Sequence, residues 1–284
     1  MIGQFRCSQY SGIGIVAILV CVVFCDHLLA QHDPDKDEEA QREKRLKSMK
    51  SFAGEYKIFA ADDKKRQFKF HEDALIRFNN PAARMKDGAA YLWSDQGRPQ
   101  AMLRFWSFDG KRFDHSLLSL SERPLFAERD GNVKWNPTEP GITFRELSDA
   151  PKPSDSAPAR LQQMRTLANR FSAVMNHVSH DPKPVELRLL SQPLFRYKTN
   201  NEREYLDGAL FTFAEGTAPQ MHLLFEARPI GDSYKWYYAL VRFTYWPLTA
   251  KYDDKEVFSA EELPYNVDPK RTFQWLPPQR IVKD

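Results

Sequence analysis

The fold is decided by two stretches of the chain: residues 87–108 read DGAAYLWSDQGRPQAMLRFWSF, and residues 207–227 read DGALFTFAEGTAPQMHLLFEA. Both begin with Asp-Gly, continue with an apolar run and turn at a glycine before a Pro-Gln pair. Leu103 and Phe105 then alternate with Arg104, as Leu223 and Phe225 alternate with other residues in the second stretch. Because successive side chains of a strand point to opposite faces, each stretch is predicted to be an antiparallel hairpin with one buried face.

The correspondence extends outward from these stretches at a shift of about 120 residues. The further matching pairs are Phe52 and Phe171, Leu75 and Leu194, Arg77 and Arg196, and Leu120 and Leu240. An ordered set of matches that covers helix, hairpin and turn indicates an internal duplication.

One helix is predicted ahead of each set of strands. Apolar residues from Leu46 to Tyr56 recur at helical spacing, and those from Leu161 to Val178 do the same before Asp181-Pro182. The predicted fold class is therefore α+β, an internal duplication in which each half is one long helix packed on an antiparallel β-sheet.

The predicted domain organisation follows this pattern along the chain. The segments are a signal peptide (1–30), a charged spacer (31–45), a first helix-plus-sheet repeat (46–147), a linker (148–158), a second repeat (159–262) and a Pro-rich C-terminal tail (263–284).

The N-terminus has the pattern of a secretory signal. Arg6 precedes an apolar run from Ile13 to Cys25, and Ala30 stands before a polar stretch. The bulky Leu28 leaves an uncleaved signal anchor open as an alternative. All three cysteines lie in this segment, so the rest of the chain has no disulfide and no thiolate ligand. We expect an exported protein, periplasmic or extracellular.

Several strings resemble a family of uncharacterised exported proteins abundant in planctomycete-type bacteria. They are residues 87–93, 97–101, 159–165 and 207–211, and the resemblance extends over most of residues 45–260. It implies export and the helix-then-sheet order, and it brings no activity, cofactor or catalytic residue with it.

The charge balance argues against a nucleic-acid partner. Lys and Arg number 41 and Asp and Glu 38, a net charge of +3, and no basic stripe is present. The partner is unknown, with an envelope component or a protein as the candidate. Membrane contact is expected only if the N-terminal segment stays uncleaved.

The sequence contains none of the common motifs for nucleophilic, metal-dependent or phosphate chemistry. For a hydrolase with a site in the cleft between the two halves, the weak catalytic candidates are His115, Asp114, Glu122 and His222. His177 and His180, followed by Asp181, have a spacing that could bind a metal. A histidine near a helix C-terminus also interacts favourably with the helix dipole, and this interpretation is favoured, so no metal and no cofactor are predicted.

The candidate ligand-binding residues are aromatic or duplicated. Trp236, Tyr238 and Trp246 belong to an aromatic run that could stack on a ligand, or could instead pack inside a doubly covered sheet. Arg77 and Arg196 could grip an anion, or could pair with Asp87 and Asp207 in the turns.

The function favoured by the sequence is an exported envelope protein with a non-enzymatic binding or structural role. The hydrolase is the alternative.

Overall fold

The computed structural model describes residues 34–81, 83–176, 183–198 and 204–281. The chain divides into two compact units, residues 1–41 and 42–284. The first unit is described only over residues 34–41, which are helical, and the sheets lie in the second unit. The signal peptide predicted over 1–30 lies outside the described residues.

In these ranges the chain forms two helices and seventeen strands, named here in chain order. Before the second helix they are α1 (Pro34–Gly54), β1 (Lys57–Ala60), β2 (Lys69–Asn80), β3 (Met85–Asp95), β4 (Arg98–Ser107), β5 (Phe113–Ser119), β6 (Leu125–Arg129), β7 (Asn132–Trp135) and β8 (Arg145–Glu146). They continue with α2 (Ala157–Ala168), β9 (Phe171–Asn176), β10 (Pro184–Leu189), β11 (Phe195–Tyr197), β12 (Gly208–Glu215), β13 (Ala218–Ile230), β14 (Ser233–Arg242), β15 (Leu248–Tyr252), β16 (Lys255–Ala260) and β17 (Phe273–Gln279).

The strands form three antiparallel sheets, which confirms the predicted antiparallel pairing. The five-stranded sheet has the order β17-β5-β4-β3-β2. The nine-stranded sheet has the order β16-β15-β9-β10-β12-β13-β14-β8, with β11 also paired to β12. The three-stranded sheet has the order β1-β6-β7. No described residue is a cysteine, so no disulfide stabilises these sheets.

The predicted α+β fold class is wrong, because the described chain is mostly β. Large curled antiparallel sheets dominate, and the two halves are not each a long helix packed on a sheet. Of the long helix predicted from Leu161 to Val178, only the part within α2 is helical. The chain then leaves the helix at Asn169 and continues as strand β9.

The error arises because residues 171–176 satisfy two periodicities at once. Phe171 and Met175 continue the apolar stripe of a helix, and Phe171, Ala173 and Met175 also alternate as in a strand. Those three side chains are buried and the intervening ones are more exposed. Strand β9 pairs with β10 on one side and β15 on the other, so long-range pairing overrides the local helical pattern.

Three apolar clusters fill the spaces beside the sheets. Leu103 and Phe105 of β4 pack with Met49 and Ala53 of α1. The second cluster is formed in part by Leu223 and Phe225 of β13 with Met164 and Leu167 of α2. A third cluster contains Met102 of β4 and Leu224 of β13, which point the other way along the same strands. The five- and nine-stranded sheets therefore pack against each other through their second faces.

Candidate functional site

The candidate site begins at the tight turn between β3 and β4. Gln96 and Gly97 both have positive φ, 48° and 92°, as a two-residue hairpin turn of this hand requires. A Cβ at Gly97 would also lie 2.9 Å from the carbonyl oxygen of Lys198. Arg98 and Gln100 follow two residues apart. Gln100 is the extra residue of a β-bulge opposite Trp93 and Ser94, and both Arg98 and Gln100 line the pocket described below.

Strand β13 contributes the opposite wall. Leu224, Glu226 and Arg228 share one face by the same alternation, and Leu224 belongs to the apolar cluster between the sheets. The layer between the sheets therefore changes from apolar, at Leu224, to charged, at Glu226 and Arg228.

Glu226 is the centre of the charged group, and its side chain is only 1% exposed. Arg98 donates to it from Nε at 2.8 Å and from Nη2 at 3.1 Å, and Arg228 donates from Nε at 2.8 Å. The hydroxyl of Tyr197 donates at 3.1 Å to Glu226 Oε1. Both carboxylate oxygens are thus hydrogen-bonded, as a buried charge requires.

Glu122, from the loop after β5, completes a network of two arginines and two carboxylates. It accepts from Arg98 Nη2 at 2.6 Å and from Arg228 Nη1 and Nη2 at 3.1 and 2.8 Å. The Arg228 guanidinium also lies 3.9 Å from the ring centroid of Phe144. This network of Arg98, Glu122, Glu226 and Arg228 is called the ionic floor below.

The pairing keeps Glu122 and Arg98 charged at neutral pH. Burial alone would raise the pKa of Glu122, but the hydrogen bond from Arg228 and the charge of Arg98 outweigh it and hold that pKa below its ordinary value. Burial alone would lower the pKa of Arg98, and the charge of Glu226 reverses that effect and raises it. Burial, together with the charge of Glu226, raises the pKa of Tyr197, which therefore stays protonated.

A polar pocket of about 350 Å³ lies over the ionic floor. Its lining carries four arginines (Arg66, Arg98, Arg123, Arg228) and four carboxylates (Asp95, Glu122, Glu204, Glu226), so the lining has no net charge. Gln100 also lines it and is 9% exposed. In the described part of the chain, the side-chain amide of Gln100 has no hydrogen-bond partner, so it is free to bind a ligand group.

Two of the catalytic candidates, His115 and Asp114, are neighbours on β5 and point to opposite sides of the strand. His115 is buried between Phe52, Phe105 and Tyr56, whose hydroxyl lies 3.2 Å from its Nε2. Burial and the nearby charge of Arg129 lower the pKa of His115 to about 3. Asp114 accepts instead from Trp275 Nε1 at 3.0 Å.

The other two catalytic candidates lie elsewhere. Glu122 belongs to the ionic floor, whereas His222 is fully buried against Phe243, at 4.6 Å between ring centroids. Burial and the charge of Arg104 lower the pKa of His222 to about 3. Among the described residues, no hydrogen bond joins any two of His115, Asp114, Glu122 and His222 through their side chains, so the structure does not assemble them.

The candidate ligand-binding aromatics belong mostly to the core. Trp236 and Tyr238 are buried in the cluster beneath α2, and Trp246 is half-buried near Tyr265. The sheet that carries them curls round so that β9 and β15 cover it, which leaves no open row of rings at Trp236 and Tyr238.

Arg77 and Arg196 bind aspartates of the chain itself. Arg77 donates to Asp87 from Nε and Nη2, each at 3.4 Å, and Arg196 donates to Asp207 at 3.1 and 2.6 Å. This is the pairing that the sequence offered as the alternative to anion binding.

The metal candidates His177, His180 and Asp181 lie outside the described residues. Within the described ranges, no group of three or more His, Cys, Asp or Glu side chains has the arrangement of a metal site. In those same ranges neither helix is long and apolar enough to cross a membrane.

Sequence reasoning missed Arg98, Gln100 and Arg228 as site residues. A usable signal was present for Arg228, because it shares the strand face of Leu224, which the second sheet covers. For Arg98 and Gln100 the bulge at Gln100 interrupts the alternation. Charged and amide side chains placed on a buried face indicate either an ion-pair network or a site.

No family model, no curated protein and no solved structure matches this chain.

Proposed function

We propose that the protein is an exported envelope protein with a non-enzymatic binding role, and that the polar pocket holds its ligand. The observation that carries this proposal is the side-chain amide of Gln100, a residue only 9% exposed, which has no hydrogen-bond partner among the described residues and lies beside a preformed ionic floor. A concave site with a few fixed polar groups is the usual form of a small-molecule site.

A binding role fits the electrostatics of the pocket better than catalysis does. A general acid that works near neutral pH needs a carboxyl group whose pKa is raised. The pKa of Glu122 is instead lowered, and both oxygens of Glu122 and Glu226 accept from arginines. The ionic floor is thus suited to holding a shape and presenting hydrogen-bonding groups.

Export is proposed from the sequence of the first thirty residues, and the resemblance to exported proteins of planctomycete-type bacteria supports it. Mass spectrometry of the protein from the envelope of its host tests this part. A mass that starts at Gln31 is expected, and recovery from the cytoplasm alone would contradict export.

Thermal unfolding of the full-length chain tests the binding role. The probes are three neutral disaccharides (cellobiose, maltose and chitobiose), the zwitterion glycylglycine and inorganic phosphate, each at about 10 mM. A ligand that binds only the folded state raises Tm. At least one probe is expected to raise Tm and to be recovered chemically unchanged.

Two variants test whether the rise in Tm comes from binding in the polar pocket. Gln100→Leu removes the free amide and is expected to abolish the Tm shift. Gln220→Leu changes a buried glutamine of β13 that does not line the pocket, and is expected to keep the shift. A probe that is cleaved would contradict the non-enzymatic role. Unchanged Tm with all five probes would contradict binding and leave the ionic floor as a structural clamp.

A further inference from the structure

We infer that the polar pocket takes a neutral, hydroxyl-rich ligand, a short saccharide. This inference deepens the proposed binding role and rests on it. It follows from three properties of the pocket: the balanced charge of its lining, the near-saturation of its ionic floor, and the side-chain amides of Gln100 and Gln96, which have no hydrogen-bond partner among the described residues.

The charge balance disfavours ions of either sign. Four arginines and four carboxylates share the lining. A bound anion would therefore be repelled by Glu122 and Glu226, and a bound cation would be repelled by the arginines. Displacing Glu226 from Arg98 would deprive a carboxylate that is 1% exposed of two of its four hydrogen bonds. Breaking a buried ion pair in this way is strongly unfavourable.

The ionic floor also offers little to a zwitterion, which would need one guanidinium and one carboxylate to be free. All three nitrogens of Arg228 already donate, Nε to Glu226 and both Nη atoms to Glu122. Among the described residues, Arg98 Nη1 is the one guanidinium nitrogen of the ionic floor without a hydrogen bond, and both carboxylates already accept from arginines. The cationic group of a zwitterion would therefore compete with bonds that the protein has already made.

A hydroxyl group avoids this competition. It donates and accepts at once, so it can donate to Glu122 Oε1, the one carboxylate oxygen of the ionic floor with a single donor among the described residues, without displacing a guanidinium. The amide of Gln100 offers two donors and one acceptor at the wall, and Gln96 offers the same at the rim of the turn. Both amides match the mixed donors and acceptors of a sugar ring.

The volume sets the size of the ligand. About 350 Å³ is at the small end of the range for ligand pockets, which fits a short saccharide and excludes a long chain held along its whole length.

Isothermal titration calorimetry of the full-length chain tests the ligand class. The titrants are cellobiose, maltose, chitobiose, glycylglycine and inorganic phosphate. We expect saturable binding of at least one disaccharide and none of glycylglycine or phosphate. Gln100→Leu is expected to weaken that binding about tenfold or more, because a buried polar group of the ligand loses its partner.

Gln96→Gly is a second test of the site, in case Gln100→Leu fails to fold. Glycine suits the positive φ of 48° at this exposed turn position, so the variant keeps the hairpin while it removes the rim amide. Affinity is expected to fall about threefold to tenfold. Gln220→Leu is the matched control and should bind like the wild type.

Each contrary outcome has a distinct meaning. Binding of glycylglycine or phosphate without any disaccharide overturns the saccharide inference and keeps the binding role. Disaccharide binding that Gln100→Leu and Gln96→Gly both leave unchanged overturns the pocket as its site. Absence of binding with all five titrants overturns both the inference and the proposed function.

Discussion

Asp87 and Asp207 are two buried aspartates, one on the five-stranded and one on the nine-stranded sheet, that are held in nearly the same way. A helix arginine donates from Nε to Oδ2 of each, Arg45 at 2.8 Å and Arg160 at 2.8 Å. A strand arginine, Arg77 or Arg196, supplies the second guanidinium. Each Arg-Asp-Arg cluster therefore fixes a helix to the sheet beneath it.

The two clusters differ in what satisfies the outer arginine. Arg77 donates at 2.6 Å to Glu43, whose side chain is 59% exposed. Arg196 donates instead to the carbonyl oxygen of Ala157, at the start of α2. The buried part of each cluster is the same, and the exposed part changes from an ion pair to a backbone hydrogen bond. The comparison indicates that the aspartate and its two arginines are the stabilising unit, and that the third partner contributes little.

The largest expected effect comes from removing the charge of either aspartate. Asp87→Asn and Asp207→Asn each leave two arginines beside a neutral group, and each should lower the free energy of unfolding by about 3–5 kcal/mol. Urea denaturation measures both, with the exposed turn variant Asp232→Asn as the control. If only one of the two variants lost stability, the two clusters would not be equivalent stabilising units.

The second prediction concerns the one histidine that each sheet buries, His115 or His222. Each has a pKa of about 3 when folded, against an ordinary value of about 6.5, so the unfolded chain binds more protons between these pH values. Stability should therefore fall as pH decreases from about 6.5 towards 3, by up to about 1.4 kcal/mol per pH unit for each histidine.

Urea denaturation at a series of pH values measures this slope. His115→Leu and His222→Leu should each flatten it by similar amounts. A slope that neither variant changes would show that other groups control the acid sensitivity.

The third prediction uses the glycine that follows each aspartate. A Cβ at Gly88 would lie 2.4 Å from the ring of Phe78 and 2.7 Å from the carbonyl oxygen of Phe105. A Cβ at Gly208 would lie 2.5 Å from the ring of Tyr197 and 3.0 Å from the carbonyl oxygen of Phe225. Alanine at either position should cost about 1–3 kcal/mol of unfolding free energy, more at Gly88, where the backbone oxygen is nearer.

Thermal and urea unfolding of the two alanine variants measure that cost. Gly54→Ala is the control, since its Cβ would meet Phe70 only at 3.6 Å, an ordinary contact. Equal stability of Gly88→Ala and the wild type would show that Phe78 and the backbone at Phe105 move aside for the added methyl group at little cost.

The smallest expected loss of unfolding free energy comes from Glu43→Gln, which affects the Asp87 cluster alone. Glu43→Gln removes an exposed ion pair, so the loss should be below about 1 kcal/mol and should shrink further between about 0.05 and 0.5 M salt. The corresponding position near Arg196 has a backbone acceptor, so no comparable salt effect is expected there. A loss as large as that of Asp87→Asn would show that Glu43 belongs to the stabilising unit.

The sequence predicted the hairpins well, because the glycine turns at Gly97 and Gly216 and the alternating apolar residues are local signals. The interpretation of Asp87-Gly88 as a turn is wrong, because both residues lie within β3. The predicted runs Ala89–Trp93 and Met221–Ala227 both lie within observed strands. The fold class was predicted wrongly where local signals conflict, as at Phe171–Asn176, and where short strands such as β1 and β8 depend on distant partners. Asp87 and Asp207 match at a shift of about 120 residues, as do Arg77 and Arg196, whereas Phe52 of α1 and Phe171 of β9 lie in different kinds of element. The duplication stays a prediction.

Local sequence patterns could not predict the pocket. Arg98 and Glu226 lie on different sheets, 128 residues apart, and meet only because the sheets pack face to face. Alternation along β13 places Glu226 on the right face, whereas the bulge at Gln100 interrupts the alternation that would place Arg98. The way the two sheets meet depends on the packing of residues such as Met102 and Leu224.

The central claim is that Gln100 is a free amide in a preformed site, and nitrogen-15 NMR of its side-chain amide tests that claim most directly. During titration of the full-length chain with the best-binding disaccharide, the Gln100 amide signals should shift in a saturable way while those of Gln220 stay in place. Saturable binding that leaves the Gln100 signals unmoved would contradict the claim and place the ligand elsewhere on the protein.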